Sequence, residues 1–159
     1  SDLSQMKYLS VIESHLQHNL VSWAGAVGPW QIMDYEAKRF GLRVGKNDER
    51  MDYVKSTHVA CKLMNELYKE FGDWVLVVAA YNGGAGRVRN AIKKSKSRDF
   101  WNIQPYLLEE TRNHVKKFIA THYIFEGNGK LENIKHLEPI MDTTNLYQFD
   151  TLEIGRAHV

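Results

Sequence analysis

The chain has 159 residues, 43% of them hydrophobic and 25% charged, with a formal net charge of +2. That suffices for one domain with a real core and is too short for two. The near-neutral balance leaves no nucleic-acid footprint, and a sequence pI near 8.6 fits at most weak attraction to an anionic polymer. No apolar run reaches membrane-spanning length, and the single Cys61 cannot form an internal disulfide. The chain begins Ser-Asp, without an initiator Met or a signal peptide. It is expected to be an excised fragment or a mature piece.

The residues from Ser4 to about His18 predict a helix with Ser4 as its cap. A loop follows from Asn19 to Pro29. Gln31 to Phe40 predicts a second helix, stopped by Gly41. A polar connection over Val44 to Asp52 contains Asp48-Glu49-Arg50. A long helix is expected from Tyr53 to Phe71, with Val54, Cys61, Met64, Leu67, Tyr68 and Phe71 on its apolar face. Gly72 ends it and Asp73 caps the next helix, Trp74 to Tyr81, which is apolar all round and so central. The run Asn82-Gly83-Gly84-Ala85-Gly86 breaks or bends the chain. Helix resumes over Arg87 to Lys94. Ser95 to Pro105 reads as loop with a short turn at Phe100-Trp101. The last long helix runs from Glu109 or Glu110 to Phe125, with Val115, Phe118, Ile119 and His122 on one side. Helical period is absent from Gly127 onward. The expected fold is therefore mainly α: one helical domain over 1–126, then an extended tail or linker over 127–159.

Two stretches carry candidate chemistry. Glu13 follows two branched apolar residues at the end of an apolar-periodic run. A carboxyl at such a rim loses water on one side, which favours the protonated form that a general acid needs. The small residues and glycines of Ser22 to Gly28 allow close backbone approach to a ligand. Trp30 and Gln31 close the run, and indoles and amides commonly contact sugars. Further on, Tyr81-Asn82-Gly83-Gly84 ends an apolar helix, so its polar tips can point into a cleft over a rigid floor. Plainer readings stand beside these. Glu13 is alternatively a solvated helix carboxylate, and the glycines turn punctuation. Tyr81 is alternatively a core tyrosine, Asn82 a helix-end residue, Gln31 a first-turn residue and Trp30 core packing. Cys61 and His122 read as core residues. The seven histidines have no metal-site spacing, so no metal or cofactor is expected.

The ordered set of motifs is Glu13-Ser14, Ser22, Ala24-Gly25-Ala26-Val27-Gly28, Trp30-Gln31, Gly41-Leu42, Asp48-Glu49-Arg50 and Ala80-Tyr81-Asn82-Gly83-Gly84. Glu110-Thr111-Arg112, Val115 and Phe118-Ile119-Ala120 complete it. Over roughly Leu9 to Phe125 this set resembles the catalytic domain of the soluble-lytic-transglycosylase family, with its goose-lysozyme-like fold. The resemblance implies cleavage of the β-1,4 bond between N-acetylmuramic acid and N-acetylglucosamine in peptidoglycan. No water is used, and a 1,6-anhydro ring closes on the muramoyl residue. Glu13 would be the sole acid and base. Ser22 and Gln31 would hold the substrate near the scissile bond, with Met33 beside them. Tyr81 would orient Glu13 and Asn82 would shape the cleft. Ser14 and His114 complete the implied substrate-binding set. The implied partner is the peptidoglycan glycan strand, met by a monomer in the bacterial envelope, in the periplasm. A membrane anchor or lysin-motif repeats outside this chain would fit the family.

Four positions depart from the family pattern. Pro29 replaces a residue such as Leu, Asp34 a Pro, and Glu36 a Thr near the site. His114 stands where Tyr is usual, bringing a side chain that titrates near neutral pH. A lysozyme-type hydrolase, with Glu36 or Asp34 activating water, and an inactive peptidoglycan-binding module are the alternatives. Both acids are expected to be structural. With a second helix starting at Gln31, Asp34 would share a face with Gln31 and Glu36 would point away from it.

Overall fold

Gly72 and Gly84 bracket the helix at the centre of the described core. The computed structural model describes Leu9, residues 12–15 and residues 17–126. Ser4, and the tail expected from residue 127, lie outside these residues. The chain divides into two units after His122, and the site described below belongs to the first.

Among the described residues, six helices follow the first loop: α1 (Asp34–Arg39), α2 (Tyr53–Phe71), α3 (Trp74–Gly83), α4 (Ala85–Ser95), α5 (Phe100–Ile103) and α6 (Glu109–Glu126). Single 3-10 turns at Glu49–Met51 and Gln104–Tyr106 connect them. The central helix is α3. Asp73 caps it by accepting the N–H groups of Val75 and Leu76 at 2.8 and 3.1 Å. Leu76 to Ala80 are buried in sequence, so this stretch has no face turned to water. Fully burying one such valine or leucine contributes roughly 1.5–3 kcal/mol. The helix runs through Asn82 to Gly83 and breaks at Gly84, whose φ is +91°. Asn82 is therefore helical, and the left-handed turn belongs to the glycine.

Helix α2 has the expected ends, with Asp52 accepting the Lys55 N–H and Gly72 in the left-handed conformation. Its buried stripe is Ser56, Val59, Ala60, Leu63, Met64 and Phe71. The expected stripe is rotated from this one, since Val54 is 81% exposed. The buried serine explains the error: Ser56 donates its hydroxyl back to the Asp52 carbonyl, which lets a polar residue sit on the inner face.

Three boundaries also differ. The first helix ends at residue 14, because His15 has a φ of +51°. The second begins at Asp34 instead of Gln31. Gln31 has a φ of +48°, and the antiparallel bridge between Val27 and Ile32 holds the chain in a tight hairpin there. The loop expected over Ser95 to Pro105 contains α5 and part of a 3-10 turn, with Asp99 capping α5.

Candidate active site

Glu13 sits on the last helical turn before His15, with Ile12 packed against the core. Its side chain is 9% exposed, and its Oε1 lies 3.0 Å from Nε2 of His114 on α6. The two atoms are buried and face each other off the line of a well-directed hydrogen bond, and neither has another hydrogen-bond partner. Glu13 also lines a cleft of about 760 Å³.

One wall of the cleft is the loop from Leu20 to Ile32. Bridges from Val27 to Val21 and to Ile32 fold it onto itself. Ser22 Oγ accepts the Ala26 N–H at 2.9 Å. Gln31 Nε2 donates to the carbonyls of Gly28 at 2.9 Å and Leu20 at 3.3 Å. Both side chains line the cleft, and both also hold the loop in shape. Ser14 is not brought to the cleft. It is 1% exposed, and its hydroxyl donates to the Pro29 carbonyl at 2.8 Å. It fastens the loop to the helix that carries Glu13.

Arg50 fixes the same loop from below. Its guanidinium is paired with Asp48 at 2.7 Å and donates to the carbonyls of Gly25 and Ile32, each at 3.1 Å. This charge-assisted network holds the Asp48 carboxyl below the usual aspartate range, chiefly through the Arg50 hydrogen bonds. Gly28 completes the closure. A Cβ there would lie 2.0 Å from the Arg50 carbonyl oxygen. The close approach expected of this glycine run is made, at Gly28, to the protein's own backbone.

Helix α3 supplies the floor. Tyr81, Asn82 and Gly83 line the cleft beside Glu13. The Tyr81 hydroxyl donates to the Trp30 carbonyl at 2.7 Å. Burial raises the Tyr81 pKa well above its usual value, and the charges of Glu13 and Glu36 raise it further. The phenol therefore stands near both carboxylates and stays neutral. Trp30 is buried, with its Nε1 donating to Thr57 Oγ1 at 2.8 Å, so it is a core residue. Met33 and Glu36 line the cleft as well. Gly83 packs on α6 so closely that a Cβ would lie 2.6 Å from Thr111 Oγ1.

The shorter α1 changes the reading of the two extra acids. Asp34 is half-exposed and paired with Lys38 at 2.8 Å. Glu36 does not point away from Gln31; it lines the same cleft. Its Oε2 accepts the Met33 N–H at 3.0 Å and its Oε1 accepts the Tyr35 hydroxyl at 3.3 Å. Burial raises its pKa. A glutamate three residues into a helix is a capping signal, and it marks the true start of α1. No group of three or more His, Cys, Asp or Glu side chains placed to hold a metal ion occurs among the described residues. No helix among them is long and apolar enough to cross a membrane.

The profile of the transglycosylase SLT domain matches residues 1–104. Membrane-bound lytic murein transglycosylase D of Escherichia coli K12 is 40% identical over 132 residues, 79% of this chain and 29% of that protein. Two solved structures share the helical fold. An inactive mutant of lytic transglycosylase Slt from Pseudomonas aeruginosa aligns with a TM-score of 0.66 at 23% identity, over 79% of this chain and 21% of that one. The 70 kDa soluble lytic transglycosylase of Escherichia coli aligns with a TM-score of 0.66 at 25% identity, over 80% and 22%. The chain spans 29% or less of the length of these relatives.

Proposed function

We propose that this chain, which belongs to the transglycosylase SLT domain family, cleaves the β-1,4 bond between N-acetylmuramic acid and N-acetylglucosamine in peptidoglycan and leaves 1,6-anhydromuramoyl ends. Residues 1–126 carry the activity in this reading, and residues 127–159 are a tail or linker. The glycan strand is met in the bacterial envelope, on its periplasmic side.

The observation that carries this is the placement of Glu13. It is a nearly buried carboxyl that opens onto the cleft, with Gln31, Tyr81 and Asn82 lining the same space. Protonated Glu13 gives its proton to the bridging oxygen as the C1–O4 bond breaks. The substrate's own acetamido oxygen stabilises the cationic C1. Glu13, now a carboxylate, takes the proton of the C6 hydroxyl while O6 bonds to C1. The proton balance closes on one residue, and no water enters. A tethered hydroxyl acts at very high effective concentration, which favours ring closure over hydrolysis. Tyr81 holds the Trp30 end of the loop against the acid, and Ser22, Gln31 and Met33 contact the sugars.

Glu36 supports a second reading. A hydrolase needs a second carboxylate near the scissile bond, and Glu36 lines the cleft. Both its oxygens already accept hydrogen bonds and burial disfavours its charge, which suits a cap better than a base. Product mass separates the two. Purified sacculi should release muropeptides lighter by one water than their hydrolysed counterparts. Glu13→Gln should lose release by about a hundredfold or more. Reducing-end products that vanish in Glu36→Thr would make the protein a lysozyme. No soluble product from the parent chain would leave a binding module.

A further inference from the structure

Four tryptophans occur in this chain. Trp30 is in the core, and Trp74 and Trp101 pack against it. Trp23 is 96% exposed, yet it lines the cleft that holds Glu13. An indole is among the largest apolar side chains, and a folded chain gains by covering it. At that exposure the indole makes little packing contact with the described residues.

The turn beneath it is rigid. The Ser22 N–H donates to the Ala26 carbonyl at 2.9 Å, and the Gly25 N–H to the Ser22 carbonyl at 3.0 Å. The Ala26 N–H donates to Ser22 Oγ at 2.9 Å, and Arg50 holds the Gly25 carbonyl from below. Gly25, with a φ of +87°, lets the chain reverse within these five residues. The side chain that this turn presents is Trp23. A fixed backbone under a two-torsion aromatic ring is a preorganised contact surface, with little entropy left to lose on binding.

We propose that Trp23 is a stacking platform for a pyranose ring of the glycan strand, extending the cleft beyond the sugars at the scissile bond. The proposal rests on the glycan reading of the cleft. Its occupant follows from continuity with that cleft and from chemistry. The C–H face of a β-1,4-linked N-acetyl sugar is apolar enough to cover an indole, while its hydroxyls stay in water. The turn then has two tasks in one structure: Ser22 shapes it, and Trp23 faces the ligand.

The test uses the full chain carrying Glu13→Gln, so that ligand is not consumed, and β-1,4 N-acetylglucosamine tetramer and hexamer as probes. Adding Trp23→Ala should weaken hexamer binding by about three- to tenfold, and Trp23→Phe should restore most of it. Circular dichroism should not change, because the side chain is exposed. Hexamer binding equal in the Trp23→Ala and Trp23 proteins overturns the proposal and leaves the active-site reading intact. Failure of every variant to bind either oligomer or sacculi overturns both. Unchanged hexamer binding with lost partition onto phospholipid vesicles assigns the indole to a membrane surface and also overturns it.

Discussion

Nε2 of His114 lies 3.0 Å from Oε1 of Glu13, in a place where both side chains are nearly closed to solvent. The acid therefore has an imidazole beside it, where the family resemblance would place a tyrosine. Tyr81 also stands near Glu13, but it stays neutral; Glu36, the other group that acts on Tyr81, is a carboxylate whose charge burial disfavours. Neither Glu13 Oε1 nor His114 Nε2 has another hydrogen-bond partner among the described residues, so the imidazole is the polar group that seats this side of the buried carboxyl.

His114→Gln keeps a polar side chain that can donate to Glu13, whereas His114→Leu leaves the buried Oε1 with no polar neighbour on that side. Muropeptide release should fall further in His114→Leu than in His114→Gln, by about tenfold. Rates of release from purified sacculi are the measurement. Equal rates in the two variants would show that the imidazole does not seat the acid.

Tyr81→Phe removes the hydroxyl that satisfies the Trp30 carbonyl, at a cost of about 1 kcal/mol. It should also change the alkaline limb of stability. The folded pKa of Tyr81 lies above its unfolded value of about 10. Its contribution is therefore whole below pH 10 and lost as pH rises through the folded value. Urea midpoints of the parent should fall between pH 9 and 11 more steeply than those of Tyr81→Phe. Parallel curves would remove Tyr81 from this account. Activity should fall too, because Trp30 and Gln31 sit on the loop that the hydroxyl anchors.

The long helices were legible: α2 spans Tyr53–Phe71 as expected, and α3 starts after the Asp73 cap. The site was legible in part. Glu13, Ser22, Gln31, Met33, Tyr81 and Asn82 share one cleft, and His114 meets Glu13 from behind it. Ser14 misled because a small polar residue next to an acid looks like a ligand contact, and only its burial reveals a loop fastener. Gln31 misled because helical spacing after Pro29 hides a left-handed residue. That displaced the start of α1 by three residues and turned Glu36 to the wrong side. Arg50 was visible only as part of a motif. Its reach of 18 to 25 residues back along the chain leaves no local signal.

Gly28→Ala should destabilise the chain through two effects at one position. The φ of +83° is unfavourable for any side chain, and the new Cβ would meet the Arg50 carbonyl at 2.0 Å. Together these should cost about 2–4 kcal/mol, read as a lower urea midpoint. Activity should fall even where the protein remains folded, since Gly28 also accepts the Gln31 amide. The same change at Gly25, where a Cβ would meet nothing within 4 Å, should cost only the backbone strain. Equal losses at the two positions would exclude the steric part of the argument.

The Arg50–Asp48 pair should dominate both the stability of the loop and its response to acid. The two side chains are 6% and 9% exposed, and Arg50 also satisfies two carbonyls of the loop. Arg50→Met leaves a buried carboxylate and those carbonyls without their donor. Breaking one partner of such a pair costs about 3–5 kcal/mol, so the urea midpoint at pH 7 should drop sharply. Arg50→Lys should recover only part of it, because an ammonium cannot fork to Asp48 and the loop together. The acid response follows from the direction of the Asp48 shift. Its folded pKa is depressed, so its stabilisation is whole above the ordinary aspartate value of about 3.9 and is lost as pH falls through the lower folded value. The melting temperature of the parent should therefore decline below about pH 4 more steeply than that of Asp48→Asn, which has no proton to take up. If the two decline in parallel, the acid response belongs to other carboxylates. If Arg50→Met retains the parental midpoint at pH 7, the buried network is not what holds the loop over the cleft.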